Sequence, residues 1–164
     1  MYFLSAAGST DFKVRVFSTY IKEIEAKPTA TEWGAKMPFA NLMTEFSNSP
    51  TGGGWIHSVS FNSTGTRLAW VGHDSSIAVA DAPSGMVMMK LKTKLLPFLT
   101  LTWIGLNKIL AAGHDCVPVV FQVDAAGLYD FMVLIFIARA PIFKCPSRSD
   151  SIDHFFSLNT QPNI

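Results

Sequence analysis

The tripeptide Gly-His-Asp occurs twice in this chain, at 72–74 and again at 113–115, 41 residues apart. Each copy separates two short apolar runs, and this arrangement limits the fold more than any other feature. Before the first copy, Trp55–Phe61 alternates large apolar with small polar residues, and Asn62-Ser63-Thr64-Gly65 supplies a turn. Thr66–Val71 makes a second run, and Ile77–Ala80 follows the Gly-His-Asp turn as a third. Runs this short, rich in Val, Ile and aromatic residues and bounded by Gly, Asn, Asp and Ser, predict an antiparallel meander. A meander apolar on both faces cannot bury itself and must stack on copies of itself.

The chain contains such copies. Leu99–Trp103, Lys108–Ala112 and Val117–Phe121 repeat the three runs around the second turn. Ala6–Asp11 followed by Phe12–Phe17 is an earlier, incomplete copy with Asp11 in the turn and no first strand before it. The spacing falls in the ~40–45-residue period of WD-type propeller blades. Six residues past the turn aspartate, where such repeats place Trp, stand Phe17, Ala80 and Phe121, and only the middle copy keeps the following Asp, as Asp81. The predicted fold is therefore all-β: a partial WD-repeat β-propeller of about two to three blades, open because a seven-bladed ring needs ~280 residues at this period.

Asp11 precedes Asp74 by 63 residues, 22 more than one period, so an insertion lies between them. It is assigned to 21–54, with Pro28, Gly34, Pro38 and Pro50 interrupting regular structure. Trp33, Met37 and Phe39 are expected to pin it to the blade edges. Asn41–Phe46 and Met86–Lys92 are expected as outer strands, the latter with Lys90 and Lys92 turned outward; Gly127–Phe131 is a further candidate. The propeller is bounded at 1–128, and 129–164 is read as a divergent tail without turn grammar or period. A chain that opens in mid-blade reads as truncated.

Composition excludes several function classes. A net charge of +1 offers no bulk attraction for nucleic acid. Cys116 and Cys145 form no CxxC and read as reduced thiols. The most apolar run, Phe131–Ala138, is far short of the ~20 residues of a spanning helix and reads as a strand or a sticky segment. Nothing at the start resembles a secretory leader, so the chain is placed inside the cell.

Asp11, His73, Asp74, His114 and Asp115 are the candidate site residues, and a structural role accounts for each. A turn aspartate accepts hydrogen bonds from nearby N–H groups and side chains and so fixes the turn. No G-x-S-x-G elbow activates a serine, so no Ser-His-Asp triad is assigned. Asn62-Ser63-Thr64 is read as a turn rather than a glycosylation site. Trp33, Trp55, Trp70 and Trp103 are assigned to packing. No catalytic residue, cofactor, metal site or small-molecule substrate is expected.

FKVRVFSTYIKEIE, TEWGAKMPFANLMTEF, GGGWIHSVSFNSTGTRLAWVGHDSSIAVADA and LTWIGLNKILAAGHDCVPVVFQVDAAG together resemble one family, the WD-repeat subunit of the actin-related-protein two/three complex. The likeness runs from about Leu4 to about Gly127, and its most specific piece is the insertion, Tyr20–Glu25 and Trp33–Phe39. What the resemblance implies is a seven-bladed, non-catalytic scaffold of roughly twice this length, supporting nucleation of branched actin filaments. The other complex subunits and actin filaments are the implied partners, in the cytoplasm at the cytoskeleton. A generic WD-repeat adaptor in another assembly is the alternative, and a small hydrolase a remote one. As a part of such a ring, the chain is expected to expose apolar open faces, at Phe17 and Val120, and to assemble poorly alone.

Overall fold

The computed structural model describes residues 3–26, 29–35, 37–48, 53–123 and 134–135. These form three antiparallel sheets, and no helix occurs among the described residues. The first sheet comprises β1 (Leu4–Gly8), β2 (Lys13–Ser18) and β3 (Leu42–Ser47), in that order. The second comprises β4 (Ile56–Phe61), β5 (Arg67–Gly72), β6 (Ser76–Asp81) and β7 (Val87–Lys92). The third comprises β8 (Phe98–Trp103), β9 (Lys108–Gly113), β10 (Val119–Gln122) and β11 (Leu134–Ile135). These are the blades of an open, partial propeller. β11 lies inside the apolar run 131–138, beyond the expected propeller boundary. Cys145, the outer-strand candidate 127–131 and the tail 142–164 lie outside the described residues.

The repeat is visible in the backbone. The residue after each turn aspartate is left-handed: Phe12 at φ 69°, Ser75 at 61° and Cys116 at 57°. None is glycine, so each turn holds a conformation that side chains disfavour. The residue closing the outer strand then donates its N–H to the carbonyl of that left-handed residue, Asn48 to Phe12 at 2.7 Å and Thr93 to Ser75 at 2.9 Å. By this alignment β1, β5 and β9 correspond, and among the described residues the first sheet has no counterpart of β4 and β8.

The second sheet is buried on both faces because alternate residues serve two cores. Leu68 and Trp70 of β5, with Ala78 and Ala80 of β6, pack against Val14, Val16 and Phe46 of the first sheet. Ala69 and Val71, with Ile77 and Val79, pack against Ile109, Ala111 and Phe121 of the third. A strand buried on both sides reads as a continuous apolar run, and SIAVAD and RLAWVG do.

The outer face of the first sheet differs from expectation. Phe17 and Val120 are half-buried. Around Phe17 the first sheet is charged rather than apolar. Glu45 pairs with Lys13 at 2.6 Å and Arg15 at 2.7 Å, and Arg15 also pairs with Asp11 at 2.6 Å. The hydrogen bond from Arg15 holds the Asp11 carboxyl at about 2. Such exposed pairs add little stability, but they make this face polar.

The insertion docks through fewer residues than expected. Trp33 is 3% exposed, and its indole N–H donates to the Gly65 carbonyl at 2.7 Å. Its ring lies edge-on to Phe46 and Phe61. Met37 is also buried, whereas Phe39 is 66% exposed and pins nothing. Trp55 is likewise a correction: it precedes β4, is 51% exposed, and packs on His73 rather than between blades.

Candidate functional site

The polar residues meet where the first and second sheets join. β3 ends at Ser47, so the Asn48 side chain enters the β5–β6 turn of the next sheet. It is buried, and its amide donates to the Asp74 carboxylate at 3.3 Å and to Ser76 Oγ at 3.4 Å. The Asn48 carbonyl oxygen accepts from the Trp70 indole N–H at 3.3 Å. Ser76 Oγ donates to Asp74 Oδ1 at 2.5 Å. Lys90, from the outer strand β7, reaches inward to Asp74 Oδ2 at 2.9 Å and to the Asn48 backbone carbonyl. That corrects the outward reading of Lys90; its alkyl stem crosses the sheet edge while the ammonium meets a partly buried carboxylate.

Burial would raise the Asp74 pKa, but the bonds from Ser76, Lys90 and Asn48 outweigh it and hold the carboxyl below its ordinary value. Asp74 is therefore an anion with three donors assigned to it. Such a group is fixed, not poised to exchange a proton with a substrate.

The other candidate residues sit at equivalent places with different partners. Asp11 accepts from the Lys13 N–H at 3.1 Å. Asp115 accepts from the Leu96 N–H at 2.7 Å, because Thr93, the counterpart of Asn48, turns its hydroxyl back to the Ser75 carbonyl. The backbone N–H groups of His73 and His114 donate to Trp55 and Pro97, each just ahead of the first strand of its sheet. Gly54 passes so close beneath the first of these turns that a Cβ there would lie 2.2 Å from the Asp74 nitrogen. The five residues are thus distributed over three turns, not gathered into one constellation. Asn62 is buried, accepting from the Arg67 N–H and donating to Thr66 Oγ1. Asp81 pairs with Arg67 at 3.3 Å across the same sheet.

Asn48, Ser76 and Lys90 were not visible as site residues in the sequence. The available signal was alignment of the outer-strand ends, which sets Asn48 beside Thr93. The seam between the second and third sheets is also polar at its rim: Trp103 Nε1 donates to the Ser60 carbonyl at 2.9 Å and Arg67 to Asn107 at 3.0 Å. No group of three or more His, Cys, Asp or Glu among the described residues is arranged to hold a metal ion. No helix among them is long and apolar enough to cross a membrane.

Actin-related protein 2/3 complex subunit 1A-B of Xenopus laevis is 52% identical over 129 residues, which is 79% of this chain and 35% of the relative. Over most of its own length the chain is similar to subunit 1 of that complex. Subunit 1 of Schizosaccharomyces pombe is 36% identical over 130 residues, 76% of this chain and 33% of that protein. Subunit 1B of Arabidopsis thaliana is 31% identical over 131 residues, 79% and 34% respectively. The chain spans about a third of the length of the curated subunit 1 relatives it matches. No family model matches it.

Proposed function

We propose that the chain contributes propeller blades to a non-catalytic scaffold, as part of an actin-related protein 2/3 complex subunit 1. Its partners are the other subunits and actin filaments, in the cytoplasm at the cytoskeleton, and its role is to support nucleation of branched filaments. The observation that carries this reading is the 52% identity extending over 79% of the chain. In it, 1–128 is the propeller unit and 129–164 a separate divergent segment. Asp11, His73, Asp74, His114 and Asp115 serve as turn residues, and the protein is not an enzyme.

The test is a graft. The matched segment of the Xenopus subunit is replaced by that of this chain and expressed with the remaining subunits. We expect the graft to co-purify in stoichiometric amount, and residues 1–164 expressed apart from the rest of a propeller to be recovered well below stoichiometry. A folded, soluble graft that leaves the other subunits behind contradicts the reading.

A further inference from the structure

The β4–β5 pairing slips by one residue between Ile56 and Ser58, so His57 stands in a bulge. Bulges re-aim side chains, and this one directs the His57 ring to the β5–β6 turn, where its Nε2 lies 2.9 Å from His73 Nδ1. The Trp55 ring also packs against His73, with centroids 5.7 Å apart. We propose that His57 and His73 form a proton-operated latch on the rim of the second sheet. It is closed while at least one ring is neutral and open when both are cationic, freeing Trp55 and the turn it covers.

The argument is one of donors and acceptors. Two neutral imidazoles bond because one donates and the other accepts, and one extra proton strengthens that bond. Two imidazolium rings present only donors and repel. The charged groups that act on His57 are other histidines. His114, from the β9–β10 turn, adds to the repulsion felt by His57. Asp115 beside it is held by the Leu96 N–H, and Asp74, in the same turn as His73, by Lys90. Burial first, then His73 and His114, keep His57 below the ordinary histidine value. The sign follows: the folded state takes up this proton less readily than the unfolded chain. Stability is intact well above about pH 6.5 and falls as pH drops from there through the lower folded-state value.

The third sheet supplies a comparison within the molecule. His114 occupies the place of His73, but the residue in the β8 bulge, where His57 stands in β4, is Leu99. The latch belongs to the second sheet. It makes the rim around Trp55, the most exposed of the four tryptophans, a surface whose shape changes with mild acidification.

The experiment is a histidine NMR titration of the full chain, with tryptophan emission followed in parallel and the Trp55 signal assigned by W55F. In the wild type, His57 is expected to titrate below the ordinary histidine midpoint, with Trp55 emission changing over the same range. H73Q should move the His57 midpoint up, and H114Q should move it up by less. A wild-type His57 that titrates at or above the ordinary midpoint overturns the proposal without reference to any variant. So does a Trp55 signal that stays flat while both rings take up protons.

Discussion

Trp70→Ala is expected to lower stability by about 3–5 kcal/mol, the usual cost of truncating a buried aromatic ring. Trp70 has no exposed surface, stacks on Phe46 with centroids 5.4 Å apart, and donates its indole N–H to Asn48. It therefore supports the seam between two sheets, not one sheet alone. Domain stabilities of about 5–15 kcal/mol leave little after such a loss, so the variant should unfold at far lower urea or not accumulate as soluble protein. Trp70→Phe keeps an aromatic ring beside Phe46 but loses the indole donor and part of the ring volume, at a smaller cost of about 1–3 kcal/mol. Phe17→Ala is the control, since its ring is half-buried on the outer face of the first sheet. If Trp70→Ala and Phe17→Ala shifted the urea midpoint equally, the seam would not be where the stability lies.

Asn48→Leu should cost about 2–4 kcal/mol, because it keeps the volume but deserts buried partners: the Trp70 N–H loses its acceptor, and Asp74 and Ser76 lose a donor. The loss should also depend on pH. Asp74 has a depressed pKa, so its contribution is present above about pH 4, the unfolded value, and disappears as pH falls through the folded one. With a bond to Asp74 removed, the gap between wild type and variant should narrow as pH falls toward 3. Urea unfolding at pH 7 and at pH 3 measures it; a gap that widens in acid would contradict the assigned role of Asn48.

The sequence was most legible where structure is local. Turn residues and alternation placed the strands to within a residue or two, and the spacing of Asp11, Asp74 and Asp115 matched three left-handed residues that no glycine marks. Within the stretch read as an insertion, Asn41–Phe46 reads as a strand and is observed as Leu42–Ser47. What was not legible depends on two blades meeting. Asn48 matters because the end of β3 lies against a turn 26 residues later, and no local pattern encodes that juxtaposition. Lys90 looked like an outward edge lysine, and only the approach of Asp74 draws it in. Trp33 packs as its sequence context predicts, and Trp55 does not. Strand-like surroundings suggested burial for Trp55, but it sits ahead of its strand, whereas Trp33, in an irregular loop, closes the seam between the first two sheets.

That the second sheet is the buried middle of a stack is the claim on which the rest depends. Amide hydrogen exchange measured along the chain tests it most directly, because exchange reports the free energy of opening each segment. The amides of β5 and β6, covered on both faces, should exchange slowest and with a common rate. Those of β1–β3 and β10, covered on one face, should exchange faster. Equal protection in all three sheets, or protection greatest in the first, would contradict the account.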